Sequence, residues 1–130
     1  MIKLTFVLRR RPEFEPGEFR RYWREVHAPL VARHAETLRI RRYVQTHTLG
    51  SELDAALAEA RGTRIEPYDG VAQLWWDSLE DLQAVLSDAA GQQAAGELLE
   101  DEQRFLDLPA CSLWIGEEHV VVGPESDQAA

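Results

Sequence analysis

The chain opens on strict alternation. Ile2, Leu4, Phe6 and Leu8 fall on one side of an extended segment and Lys3, Thr5 and Val7 on the other, the pattern of a strand with one strongly apolar face. Arg9 to Pro16, with Pro12, Pro16 and then Gly17, breaks that strand and opens a helix. From Gly17 to His34 the positions Phe19, Tyr22, Trp23, Val26, Leu30 and Val31 recur at three- and four-residue steps, while Arg20, Arg21, Arg24 and Glu25 lie off the stripe. Pro29 sits inside this helix, deletes the bond to the carbonyl of Glu25 and predicts a bend there. Arg41 to Leu49 returns to the two-residue period, with Tyr43, Gln45 and His47 on one face and Val44, Thr46 and Thr48 on the other.

Ser51 to Ala60 reads as a helix started by a capping box of Ser51 and Asp54 and stopped by Gly62. After the turn Pro67-Tyr68-Asp69-Gly70, a third strand from Val71 to Trp76 is apolar on both faces, with Trp75 and Trp76 on opposite sides. Ser78 and Asp81 cap a second main helix whose stripe is Leu79, Leu82, Val85, Leu86 and Ala89; Gly91 and Gly96 predict looser structure before a last turn around Phe105-Leu106. Ser112 to Ile115 and His119 to Val122 read as a final strand broken at Gly116, followed by a polar tail, 123–130, expected to be flexible.

Strand, helix, strand, twice over, predicts an α+β chain of ferredoxin-like β-α-β-β-α-β order: a four-stranded antiparallel sheet with helices on one face. One face of such a sheet is ordinarily wet. The third strand breaks that rule, and leaving an aromatic side chain in water forfeits roughly 1.5–3 kcal/mol. The expectation is therefore a homodimer in which two sheets pack face to face across a two-fold axis.

At 130 residues the chain is one domain, residues 1–122, with residues 50–66 an insert that could act as a lid. Hydrophobic content of 45% with 28% charge fits a globular protein, and no run approaches the roughly 18 apolar residues of a membrane span. The first strand meets Arg9-Arg10-Arg11 too soon for a secretory signal, and Cys111, the one cysteine, excludes an internal disulfide. A cytoplasmic protein without a membrane partner is expected.

The net charge of −9 divides unevenly, +5 over residues 1–64 and −14 over residues 65–130, which predicts that the halves face each other within the fold or across a dimer. Nucleic acid is not an expected partner, because the arginines share a helix with an apolar face and the acidic half repels phosphate.

Four segments together resemble the EthD family of the dimeric α+β barrel superfamily. They are Ile2-Lys3-Leu4-Thr5-Phe6, the helix Phe19 to Leu30 ending in His27-Ala28-Pro29-Leu30, the segment Tyr68 to Ser78, and Asp101-Glu102-Gln103-Arg104-Phe105. The resemblance covers about residues 2–122. It implies the ferredoxin-like fold, the face-to-face dimer, and a cleft between sheet and helices for a small hydrophobic molecule. Relatives include cofactor-free isomerases of muconolactones, polyketide cyclases and small oxygenases of aromatic polyketides.

His27, between Val26 and Leu30, is the leading catalytic candidate. A neutral imidazole can take and return a proton near neutral pH, and in a muconolactone-isomerase-like relative the histidine at this helical position is the proposed acid/base. Burial would lower its pKa; a carboxylate such as Asp69 or Glu102 would raise it. Tyr43 could donate to a developing enolate oxygen and His47 could be a second acid/base, provided their strand face looks toward the helix. Phe6, Tyr22, Trp23, Trp75 and Trp76 are candidate pocket walls, with Asp69 a polar neighbour.

Glu102 is expected to pair with an arginine of the basic half, and Cys111 to be a small buried hydrophobe. The spacing of His27, His34, His47 and His119 does not make a metal site, and no phosphate-binding glycine loop or nucleotide fingerprint is present, so no cofactor is expected. The expected activity is cyclisation, dehydration or isomerisation of an aromatic or polyketide-like carbonyl compound. The alternatives are a cofactorless monooxygenase of the same substrate class and a module that binds a hydrophobic metabolite without turning it over.

Overall fold

The computed structural model describes residues 1–64 and 66–124. Strand β1 (Ile2–Leu8) leads through the proline-rich turn into α1 (Pro16–Tyr22), a π turn (Trp23–His27) and α2 (Ala28–His34). Strand β2 (Arg42–His47), helix α3 (Leu53–Arg61) and strand β3 (Gly70–Trp76) follow, then α4 (Leu79–Ser87), α5 (Ala89–Phe105), a short 3-10 turn (Leu108–Ala110) and β4 (Ser112–Glu117). The sheet is antiparallel in the order β2-β3-β1-β4, the ferredoxin-like arrangement.

Register sorts the strand residues cleanly. Leu4 faces Leu74 and Leu74 faces Tyr43; Phe6 faces Ala72 and Ala72 faces Gln45, so these rows lie under the helices. Leu8, Gly70 and His47 form the last such row. A Cβ on Gly70 would come within 2.5 Å of the Trp23 indole, so the glycine makes room for that ring between Leu8 and His47.

The first main helix does not simply bend at Pro29. It widens one turn before it, where the N–H of Ala28 donates to the carbonyl of Trp23, five residues back. Phe19, Trp23, His27 and Val31 are all buried, at steps of four. A straight α-helix would rotate such a row by about 40° per step, and the extra residue in the wide turn takes back part of that drift. The stripe read at the ordinary helical period is corrected accordingly: Val26 points outward, 48% exposed, and His27 takes the inward position.

Three further expectations change. Gly91 and Gly96 do not loosen the second half; α5 runs through both for 17 residues. Two glycines cost a helix roughly 1 kcal/mol each relative to alanine, which the buried row of Ala94, Leu98, Asp101 and Phe105 outweighs. At Gly91 a Cβ would lie 1.8 Å from the carbonyl oxygen of Val85, and the Gly91 N–H caps onto Asp88 Oδ1 at 2.6 Å. In the insert, the Ser51–Asp54 capping box does not form; Ser51 Oγ accepts from the N–H of Leu53, and α3 ends on Gly62 at φ +69°. Finally, β4 continues through Gly116 to Glu117, and 119–122 are not strand. Of the expected tail, 125–130 lie outside the described residues.

Two apolar clusters fill the space between sheet and helices. One gathers Phe6, Leu8, Phe19, Trp23, Phe105 and Leu106; the other gathers Val31, Leu38, Trp76, Leu82, Val85 and Leu98. Leu4, Tyr43 and Leu74 touch both. The charge asymmetry closes within the fold, since Lys3–Glu118, Arg10–Asp69, Arg39–Asp81 and Arg41–Asp77 all join a basic first half to an acidic second half.

On the outer sheet face the argument from Trp75 needs correction. Its ring is only 6% exposed because Lys3 and Arg42 lie over it and its N–H donates to Glu118 Oε1 at 3.0 Å. The indole left open there is Trp114, opposite Thr5 on β1 and 50% exposed. No helix among the described residues is long and apolar enough to cross a membrane.

Candidate active site

His27 emerges from the π turn, and α5 presents Asp101 and Glu102 to it from across the seam. His27 Nδ1 lies 2.7 Å from Asp101 Oδ2, with both side chains about 95% buried. A carboxylate accepts, so Nδ1 carries the proton and Nε2 keeps its lone pair. Asp101 is itself held: Oδ1 accepts from the Tyr22 hydroxyl at 2.6 Å and from Arg104 at 3.1 Å. Phe105, fully buried one turn along α5, packs its ring against His27, Tyr22 and Phe19. The other imidazole nitrogen, Nε2, is 3.9 Å from Glu102 Oε2.

Each protonation state has a local cause. Burial pulls the His27 pKa down, partly opposed by the hydrogen bond and charge of Asp101, so the ring is a neutral base at neutral pH. Burial pushes the Asp101 carboxyl up, but hydrogen bonds from Tyr22, His27 and Arg104 together outweigh it and hold the acid below its usual range. The Tyr22 hydroxyl is driven up to about 12 by burial and by its bond to Asp101, so it stays a donor. Glu102 goes the opposite way from its neighbour: burial, then the charge of Asp101, raises it to about 7.

Of these groups His27 and Glu102 border a cavity of about 40 Å³ where the two apolar clusters meet, walled by Phe6, Trp23, Tyr43, Leu74, Leu98 and Phe105. Space of that size suits a water, against the roughly 300–1,000 Å³ of a ligand pocket. As it stands the cavity is smaller than a drug-sized molecule. The π turn at Trp23–His27 brings the His27 side chain to its edge. A larger groove of about 470 Å³ beside α3, lined by Asp54, Leu57, Arg61 and Arg64, contains none of these groups.

The structure brings together only some of the residues singled out by sequence. Phe6, Trp23, His27 and Tyr43 border the cavity. Tyr43 does look toward the helices, and its oxygen accepts from Gln45 Nε2 at 2.9 Å, leaving its own proton for another oxygen. His47 shares that strand face but stacks on the far side of Trp23, 4.3 Å between ring centroids, in a surface groove with Arg20, Arg21 and Arg24. Its position removes it from any joint action with His27; burial, then Arg20 and Arg24, lowers its pKa.

Tyr22 is not a wall but a support for Asp101. Trp75 lies on the outer face and Trp76 in the second cluster, its N–H bonded to the carbonyl of Leu38, so neither borders the cavity. Asp69 is taken up by Arg10, which it meets at 2.6 Å through the guanidinium and 2.9 Å through the backbone N–H. The expected arginine partner of Glu102 is also corrected: among the described residues the basic side chain within 4 Å of its carboxyl is His27, not an arginine. Cys111 is half-buried, its sulfur accepting from the N–H of Arg9.

Asp101 is the functional candidate the sequence reading passed over. A signal was available, because Leu98, Asp101, Glu102 and Phe105 fall at one helical face, and a carboxylate on such a face needs a partner.

Fold and seam together define a ferredoxin-like α+β protein with a histidine, an aspartate and a glutamate clustered between sheet and helices. The chain belongs to the EthD domain family, whose family model matches residues 11–109. It is similar to a conidial pigment biosynthesis dehydratase EthD from Metarhizium robertsii, 27% identical over 118 residues, 89% of this chain and 81% of that protein. An EthD family protein from Bacillus halodurans has the same fold at TM-score 0.60, with 23% identity, over 91% of this chain and 98% of its own. A dimeric ferredoxin-like protein from Bacteroides fragilis superposes at TM-score 0.56, with 11% identity, over 90% and 95%.

Proposed function

We propose that this protein is a small biosynthetic enzyme that does acid–base chemistry on a hydrophobic, aromatic or polyketide-like carbonyl compound with its own side chains, and works as a homodimer. The observation that carries the reading is the buried His27–Asp101 bond, which fixes the imidazole with a basic Nε2 on the cavity side. In that arrangement Nε2 removes a proton next to a carbonyl, Asp101 stabilises the imidazolium that forms, and the Tyr43 hydroxyl donates to the enolate oxygen. Apolar walls keep water from the carbanion. Membership of the EthD family and the dehydratase named among its relatives favour this chemistry.

Benzylacetone, an aryl ketone with exchangeable protons beside its carbonyl, tests the base directly. In heavy water the protein should speed loss of those proton signals, and His27→Gln should lose about a hundredfold or more of that rate. Equal exchange by the variant would remove His27 from the chemistry; binding of the ketone without exchange would make the protein a carrier instead.

Homodimerisation is supported by the dimeric relative and by the exposed Trp114 on the outer sheet face. Light scattering should give twice the 14.8 kDa chain mass, and Trp114→Glu should return it to one chain. A wild-type protein that scatters as a single chain contradicts the dimer.

A further inference from the structure

We propose that Glu102 is the acid partner of His27, and that the pair removes water from a β-hydroxy ketone with proton and hydroxyl leaving from the same face. This rests on the acid–base reading above and narrows it to one reaction.

The geometry is particular. His27 Nε2 and Glu102 Oε2 border one cavity and stand 3.9 Å apart, too far for a hydrogen bond to each other. Two neighbouring substrate atoms fit across that gap, a C–H against the nitrogen and a C–OH against the carboxyl. The two side chains reach the cavity from different elements, the π turn and α5, which pack against each other, so the reacting atoms stand side by side. A pair so placed serves syn elimination; anti elimination needs its acid and base on opposite sides.

The protonation states match the task. Among the described residues, the titratable groups coupled to this pair are Asp101, Tyr43 and Cys111. Asp101 adds its negative charge to the burial of Glu102, and together they raise that acid to about 7. His27 is neutral there. Base and acid thus coexist without either being ionised, which ordinary pKa values for the two side chains would not allow.

The step balances within the site. Nε2 takes the proton on the carbon next to the carbonyl, and that bonding pair becomes the new C=C bond. The C–O bond breaks, its electron pair leaves with the hydroxyl, and the Glu102 proton converts it to water. The imidazolium and carboxylate left 3.9 Å apart then exchange the proton, directly or through the released water, and restore the starting state. No oxidant or reductant is required.

The probe is the β-hydroxy ketone formed from benzaldehyde and acetone, whose dehydration to benzalacetone is read by the absorbance of the conjugated product. Benzylacetone exchange is measured in parallel, because it needs the base but not the acid. Glu102→Gln should lose dehydration by about a hundredfold or more, and by at least about tenfold more than it loses benzylacetone exchange. His27→Gln should lose both. Wild-type melting at pH 8 should not exceed that of Glu102→Gln, since the variant no longer ionises a buried acid, and this shows that the variant folds.

The proposal is overturned if Glu102→Gln dehydrates at the wild-type rate, or if it loses exchange and dehydration equally. It also fails if the wild type exchanges protons but forms no benzalacetone, which leaves the acid–base reading standing. A wild type that exchanges no protons defeats the broader reading first.

Discussion

Asp101→Asn should fold and still turn over substrate about a hundred- to ten-thousandfold more slowly. Asp101 accepts on both oxygens, from His27 on one and from Tyr22 and Arg104 on the other. Asparagine has one accepting oxygen and one donating nitrogen. If its oxygen stays with Tyr22 and Arg104, the amide N–H₂ faces Nδ1, which must then accept, and the proton moves to Nε2. The base is lost because the wrong nitrogen carries the proton, the effect seen when a triad aspartate is replaced by asparagine. If the amide is turned round, its N–H₂ opposes the Arg104 guanidinium.

The measurement is benzylacetone exchange together with nitrogen shifts of the His27 ring, which report the tautomer. A variant within tenfold of wild type with an unchanged tautomer would mean Asp101 is scaffolding only. The same substitution removes a carboxyl held below its usual range. In the wild type that carboxyl adds stability which is full above its unfolded pKa of about 4 and is lost as pH falls through the lower folded value. The stability gap between wild type and variant should therefore narrow in acid.

Phe105→Ala should be the most damaging truncation in the core, at about 3–5 kcal/mol. Phe105 is 0% exposed, and its ring meets Phe19, Tyr22 and His27 at centroid distances of 5.8, 5.0 and 5.1 Å. These neighbours come from α1, its end and the π turn, so they cannot collapse together onto the hole. For a chain of this size the loss corresponds to roughly 10–20 °C in melting temperature. Leu99→Ala, on the exposed side of the same helix, should cost under about 0.5 kcal/mol and serves as the control. A melting temperature for Phe105→Ala within a few degrees of wild type would show that the seam is soft and already accommodates a void.

Much of the architecture was legible because it depends on local periodicity. The apolar side of β1, the shared face of Tyr43, Gln45 and His47, and the split between Trp75 and Trp76 all follow from two-residue alternation, and each matches the observed register. The errors arise where periodicity stops being local. A period of 3.6 residues puts Val26 inside, and the wider turn puts it outside. Gly91 by its type predicts looser structure, whereas a contact with Val85 from the preceding helix requires a residue without Cβ.

The site divides along the same line. His27 stands out as a polar residue in an apolar stripe two residues before a proline, a local signal. Its partner lies 74 residues away on α5, and no spacing rule links the two. Asp69 and Glu102 were equally available as carboxylates near the histidine. Chain crossing alone gives Asp69 to Arg10 and Glu102 to the cavity.

From its order of residues alone, this chain determined a ferredoxin-like sheet, the helices that cover one face, and an inward histidine, since those depend on which residues recur at which interval. Only tertiary structure decided that Asp101 would be ionised and the adjacent Glu102 raised to about 7. Adjacent carboxyls on one helix are chemically alike until the fold gives one of them three donors and leaves the other among apolar walls.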